Sequence, residues 1–261
     1  MAKLADIVFT LDTTGSMGFA IEAMKRTITQ LADIYLEARI DTRLGIIQFR
    51  DRVNFGDTDS GNPTRQREMF DGNEFTSNPR QFRERVEWFR AVGGGPHPES
   101  SFDALALAAR SNWREEANRI IIHITDAPPH QPDVEIGTIG QLVSILSDSM
   151  IDQLHFIVSE TDMDSFSQLS ETKNDGEDGN NFSTVTWTNI SSDIEDIIEK
   201  LRKIAKTSSG NVFDKGELIF REYDEPIENP YEMEESAETD EIDDDDDILE
   251  DHETNIFDDL D

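Results

Sequence analysis

Short apolar runs alternate along the chain with stretches whose apolar residues recur every three or four positions, the pattern of alternating strands and helices. Ile7-Val8-Phe9-Thr10-Leu11 is apolar on both faces, which predicts a central strand covered by helices on each side. Ile21, Met24, Ile28, Leu31 and Tyr35 then share one face of a long amphipathic helix. Leu44 to Phe49 predicts a second strand. The polar, Gly/Asp-rich stretch from Asp51 to about Gln66 predicts a long loop with few apolar anchors. Asn78-Pro79 is a helix start, with Phe82, Val86 and Phe89 on the inner face and Gly93-Gly94-Gly95 as the stop.

The alternation continues. A helix rich in Ala and Leu is expected from about Ser100 to Ala109, and a doubly buried strand from Ile120 to Ile124, leaving the sheet at Thr125-Asp126-Ala127-Pro128-Pro129. A helix over Ile139 to Leu146 and a strand over Leu154 to Val158 follow. A polar loop from Thr172 to Asn181 precedes a strand through Val185 and Trp187. Ser192 and Glu195 have the spacing of a capping box for a helix with Ile194, Ile197, Ile198 and Leu201 on one face. Leu218-Ile219-Phe220 is the last segment expected to be ordered, and no internal repeat is visible. The class is α/β, with a mostly parallel sheet and helices on both faces.

Charge divides the chain in two. It carries 57 Asp and Glu against 23 Lys and Arg, a net −34. From Glu222 to Asp261 there are 21 acidic residues and no Lys or Arg. The other 36 acidic and 23 basic residues leave −13 on residues 1–221. The expected organisation is therefore a folded domain over 1–221 and a disordered acidic tail over 222–261, whose composition buries too little apolar surface to offset ordering. Ile248-Leu249 and Ile256-Phe257 are apolar anchors within that tail.

This balance disfavours nucleic acid, which needs clustered Lys and Arg, and an anionic membrane surface. No apolar run approaches the length of a membrane span, and Asp12 interrupts the N-terminal apolar stretch before any signal-peptide cleavage site. The absence of Cys removes disulfides and thiolate chemistry and fits a cytoplasmic location. The chain has no phosphate-binding Walker loop, no serine elbow and no kinase signature, so no enzyme activity is expected.

The candidate chemistry lies in Asp12-Thr13-Thr14-Gly15-Ser16-Met17, between the first strand and the first helix. In open α/β sheets ligands bind beyond the carboxyl ends of strands. Alternate residues Asp12, Thr14 and Ser16 can turn one carboxylate and two hydroxyls toward a point, and Asp126 leaves another buried strand nearby. Hard oxygen donors of this kind suit Mg²⁺ or Mn²⁺. A helix N-cap is the competing role for Asp12 and Thr14, and a turn role for Asp51. His123 and His155 fall inside strands and are expected to be hydrogen-bonded core residues.

Asp12-x-Thr14-x-Ser16 with a distal Asp126 resembles the metal-ion-dependent adhesion site of von Willebrand factor type A domains. Three further stretches resemble the alpha-kinase-associated branch of that family: Gly93-Gly94-Gly95-Pro96-His97-Pro98-Glu99, Asn112-Trp113-Arg114, and His123 to His130. The resemblance implies a Rossmann-like, doubly wound sheet with a divalent ion at its rim. It also implies that Thr14 and Ser16 are direct ligands, that Asp12 and Asp126 act through water, and that a partner's carboxylate fills an open position. The sequence departs from the pattern at Pro96, where the family supplies a Thr or Asp. His97 or Glu99 is then the stand-in, Glu99 being the better ligand for a hard cation, with capping of the next helix as its alternative role.

The expected function is divalent-cation-dependent protein–protein interaction in an intracellular complex. The alternatives are a regulatory subunit of an ATPase, chelatase or kinase machine, and an acidic chaperone or mimic binding basic proteins through the tail. The acidic tail is also a candidate intramolecular source of the carboxylate that the metal position lacks.

Overall fold

The computed structural model describes residues 3–95, 97–167, 169, 182 and 184–213. The polar loop of 172–181, the segment 218–220, Pro96 and the acidic residues 222–261 lie outside the described residues, and so do the expectations placed on them.

In chain order the elements are β1 (Lys3–Asp12), α1 (Gly18–Glu37), β2 (Ile40–Phe49), α2 (Arg52–Phe55), β3 (Thr58–Asp59), β4 (Asn62–Pro63), β5 (Arg65–Arg67), α3 (Pro79–Val86) and α4 (Ser101–Ala109). They continue with β6 (Asn118–Ile124), α5 (Ile139–Asp148), β7 (Gln153–Val158), α6 (Met163–Phe166), β8 (Thr184–Asn189) and α7 (Ile194–Gly210). The main sheet has the order β5-β2-β1-β6-β7-β8, all parallel except the antiparallel edge strand β5. β1 sends its neighbours in opposite directions, β2 to one side and β6 to the other. The switch in strand order therefore lies between β1 and β6, where a crevice opens above the strand ends.

Burial explains why these residues form strands. β6 is buried at all seven positions, and β1 from Ala5 to Asp12. Alternate residues feed opposite cores, as a two-residue period requires. Ile7, Phe9, Leu11, Ile120 and Ile122 face the layer of α1, α3 and α7; Val8, Ile121, Leu154 and Phe156 face α4 and α5. Each fully buried Ile or Leu is worth about 1.5–3 kcal/mol, so the double-sided layers supply most of the driving force. The five α1 residues expected on the inner face are all buried.

Three local expectations need correction. The stretch 51–66 is more structured than a loop: it contains α2, the β3–β4 hairpin and the start of β5. Its anchors are hydrogen bonds and ion pairs, including Arg65 with Glu135, which an apolar pattern does not reveal. The α3 helix ends at Val86, not at the glycines; Trp88 and Phe89 continue as tight turns bonded to Arg85 and Val86 carbonyls, and Phe89 remains buried. The cap of α7 is Asp193, whose carboxylate accepts from the Glu195 amide at 3.0 Å, so the Ser192 capping box does not form.

At the opposite end of the sheet from the crevice, Asp6 is fully buried between two arginines. Arg43 reaches it through Nε at 2.9 Å and Nη2 at 2.6 Å, and Arg114 through its backbone amide at 2.7 Å and Nε at 2.9 Å. This is the structural use of the Asn112-Trp113-Arg114 stretch: it ties the loop before β6 to β1 and β2. Trp113 adds an indole bond to the Ala109 carbonyl at 2.8 Å.

Candidate functional site

Three loops meet above the switch point. The first leaves β1: Asp12 is fully buried, and one carboxylate oxygen accepts from both the amide and the hydroxyl of Thr14 at 2.8 Å. Its other oxygen accepts from the Thr125 hydroxyl at 2.7 Å. These bonds hold Asp12 as a local brace across two strand ends, not as a helix cap. The Thr14 and Ser16 hydroxyls stand 3.4 Å apart, so two of the hydroxyl donors lie side by side. Thr14 is nearly buried, whereas Ser16 is exposed.

The second loop is the glycine run. Gly15 donates to the Gly93 carbonyl at 3.1 Å, and Val92 to the Thr13 carbonyl at 3.2 Å, so this loop lies directly on the first. Gly93 and Gly94 have φ of 65° and 83°. A Cβ on Gly93 would collide with the Asp59 carboxylate, and one on Gly94 would stand 2.8 Å from the Thr14 Cβ. Both positions need glycine for the backbone angle and for the space.

The third loop carries Asp126 to His130. It zips to Glu99 by backbone bonds, Glu99 amide to Pro128 carbonyl and His130 amide to Glu99 carbonyl, both at 2.9 Å. His130 Nε2 pairs with Asp51 Oδ1 at 2.9 Å, and Asp51 also accepts from the Asn54 amide at 2.9 Å. Asp51 therefore caps α2, in keeping with its turn role, and links the end of β2 to this loop.

Glu99 is only 1% exposed, and its Oε2 has no hydrogen-bond partner. It does not cap α4, whose N-cap is Ser100. Asp126 likewise has a buried Oδ1 without a partner. Burial, reinforced by the charges of Asp12, Asp51, Asp126 and Asp59, pushes the Glu99 carboxyl up to about 9. Burial raises Asp12 to about 6, against the hydrogen bonds from Thr14 and Thr125. A carboxylate oxygen with no donor is costly to bury ionised, so Glu99 holds its proton at neutral pH in the metal-free protein. His97, the other stand-in, is exposed and offers no comparable donor.

Stability therefore depends on pH with a definite sign. Asp12 and Glu99 have folded values above their ordinary 3.8 and 4.5, so the stability associated with their neutral forms is complete below about pH 4. It is lost as the pH rises through about 6 for Asp12 and about 9 for Glu99. Thermal melts in EDTA are expected to fall steadily from pH 5 to pH 9, and excess Mg²⁺ to flatten that slope.

Sequence reasoning misses four contributors. Arg50 is 1% exposed, with Nε on the Thr13 carbonyl at 3.1 Å and Nη1 on the Pro63 carbonyl at 3.3 Å. Burial lowers its proton affinity against the pull of Asp59, Asp12 and Glu99, so a buried cation lies among these carboxylates. Asp59 braces the glycine loop by accepting from the Gly94 amide at 2.6 Å. Thr125 and His130 lie in the His123 to His130 stretch, but nothing in the stretch alone points to their bonds with Asp12 and Asp51. The Arg50-Asp51 pair directly after a buried strand is the available signal for Arg50; Asp59 has none.

The two core histidines divide. His155 is bonded at both nitrogens, to Thr186 at 2.7 Å and Gln153 at 3.2 Å. His123 meets the Thr10 hydroxyl at 2.7 Å through Nδ1, but its Nε2 is unpartnered. Burial holds both neutral, at about 4 and about 3.

With this geometry in view, the comparison with known families is decisive: the von Willebrand factor A domain matches residues 6–217. The chain belongs to the von Willebrand factor A domain family. Over 131 residues it is 30% identical to the Alpha-protein kinase vwkA of Dictyostelium discoideum, a match covering 49% of this chain and 19% of that protein. The chain thus spans about a fifth of that relative's length. Among solved structures it is similar to proximal thread matrix protein 1 of the mussel byssus, with a TM-score of 0.53 and 14% identity over 80% of this chain and 46% of that one. That likeness carries the fold alone.

Within this A domain no group of three or more His, Asp or Glu among the described residues is arranged to hold a metal ion. Among the described residues no helix is long and apolar enough to cross a membrane.

Proposed function

We propose that this A domain is a divalent-cation-dependent protein-interaction module, with Asp12, Thr14, Ser16, Asp126 and Glu99 holding Mg²⁺ or Mn²⁺. The observation that carries the reading is the pair of buried, unpartnered carboxylate oxygens, Glu99 Oε2 and Asp126 Oδ1, beside Asp12. Buried polar atoms are almost always satisfied, and hard anionic oxygens without donors suit a hard cation. The Thr14–Ser16 hydroxyl pair adds neutral donors of the same class.

When bound, the ion supplies a positive centre that accepts a carboxylate from another molecule. The chain's own residues set how strongly. Glu99 replaces the neutral or acidic side chain that Pro96 cannot offer. Arg50 offsets one of the three carboxylate charges, and with Asp12 and Asp126 acting through water the ion has few anionic direct ligands and can take a further carboxylate. Asp51 and His130 fix the third loop without spending the donor oxygens. The domain acts by binding, not by catalysis, inside an intracellular complex.

The test is capture of a binding partner by the immobilised 261-residue chain in Mg²⁺ and in EDTA. Partner recovery is expected to fall at least tenfold in EDTA and equally in Asp12→Ala. Capture unchanged by both treatments contradicts the reading. The likeness to an Alpha-protein kinase favours a second reading, in which the captured complex contains a protein kinase that the domain regulates.

A further inference from the structure

Arg50 is the largest fully buried side chain among the described residues. It follows Phe49, the register partner of Asp12 on the neighbouring strand, so the fold sets it beside the first loop of the site. Its amide donates to the Thr64 carbonyl at 2.8 Å, its Nε to the Thr13 carbonyl at 3.1 Å and its Nη1 to the Pro63 carbonyl at 3.3 Å. All three acceptors are neutral, and among the described residues Arg50 forms no direct ion pair.

A guanidinium buried in this way is costly unless nearby charges offset its desolvation. The charges it feels are those of the site. Burial lowers its proton affinity, and Asp59, Asp12 and Glu99 pull in the other direction. Its closest tie is to Thr13, the residue between the candidate ligands Asp12 and Thr14. The same carbonyl accepts from Val92, just before the glycine run, and Asp59 accepts from the Gly94 amide. A permanent positive charge is thus fixed where the first two loops join.

Two roles fit that position, and they predict different signs. If Arg50 only braces the loops, replacing it loosens the site and weakens every ion. If its charge matters, it repels a bound ion in proportion to that ion's own charge, and replacing it by a neutral side chain tightens binding. The absence of a direct ion pair favours the second role, since carbonyls alone do not offset a buried cation.

We infer that Arg50 sets the charge class of the ion this site accepts: its fixed charge, one residue from Asp12 and Thr14, moderates the affinity for divalent ions and disfavours ions of higher charge. This rests on the metal-dependent reading above and adds what the same site discriminates against.

The probes are Mn²⁺ and Tb³⁺, titrated separately by calorimetry into the 261-residue chain and into Arg50→Met, Arg50→Gln and Arg50→Lys. Uptake at the site is the part lost in Asp12→Ala, which separates it from ions held by other carboxylates. Both neutral variants are expected to bind Mn²⁺ about tenfold tighter and Tb³⁺ about thirtyfold tighter, because the repulsion removed scales with ion charge. Gln also retains a donor for the Thr13 carbonyl. Arg50→Lys keeps the charge and is expected to stay within about threefold of wild type for both ions. Unchanged or weaker binding in the neutral variants, equal tightening of the two ions, or the same tightening in Arg50→Lys overturns the inference. So does loss of cooperative melting in both neutral variants, which would make the charge a requirement of the fold. No site-specific uptake of either ion by wild type overturns the metal-dependent reading instead.

Discussion

The 261-residue chain carrying Glu99→Gln is expected to melt at a higher temperature than wild type in EDTA at pH 8, while losing at least tenfold in Mg²⁺ affinity. Glu99 has a carboxyl raised to about 9 by burial and by four neighbouring carboxylates. At pH 8 the unfolded chain would ionise it freely, so the fold carries a cost for keeping it neutral. A tenfold difference in proton affinity between the folded and unfolded chain corresponds to about 1.4 kcal/mol. Gln removes the titration but keeps a buried polar group, so the expected net gain is roughly 2 kcal/mol. For a domain this size that is about 4–8 °C. Gain of stability with loss of ion binding is the signature of a site whose strain serves function. A lower melting temperature, with metal affinity intact, would mean that Glu99 has a structural partner and no role toward an ion.

Asp6→Ala is expected to act in the opposite sense, with no direct effect on the site. Asp6 is fully buried and receives donors from Arg43 and Arg114 on two other segments. Removing one member of a buried ion pair leaves its partners uncompensated, at about 3–5 kcal/mol. Arg43 and Arg114 remain partly exposed, which places the cost toward the lower figure. Urea unfolding of the full chain should show the midpoint fall accordingly. A shift under about 0.5 kcal/mol, the range of ordinary surface substitutions, would contradict the brace described for the loop before β6.

How much of the molecule is legible in the sequence depends on which physical signal each part uses. Strands β1, β6 and β7 are buried on both faces, so their apolar runs stand out; α1 announces itself by the period of Ile21 to Tyr35. The 51–66 stretch hides its order because α2 and β5 are held by Asp51, Arg52 and Arg65 through hydrogen bonds and ion pairs. Composition treats such residues as solvent-facing. The α3 stop is misplaced by the sequence pattern because Trp88 and Phe89 continue the apolar spacing through tight turns that keep Phe89 buried. Within the site, Asp12, Thr14 and Ser16 are readable from alternation in one loop. Glu99 is ambiguous in sequence between capping and ligation; the fold removes the capping role, since Ser100 is the N-cap of α4, and leaves Glu99 Oε2 buried without a partner. Arg50 and Asp59 cannot be placed without the fold, since nothing local ties a residue after β2 or in the β3–β4 hairpin to a loop after β1.

The most direct test of the central claim is calorimetric titration of Mg²⁺ and Mn²⁺ into the full chain at pH 7, alongside Asp12→Ala. The expected result is a site of one ion per domain, with proton release because Glu99 must give up its proton to take part. The variant is expected to show no such transition. Equal ion uptake by both proteins, or no saturable uptake by wild type at millimolar ion, would contradict the account.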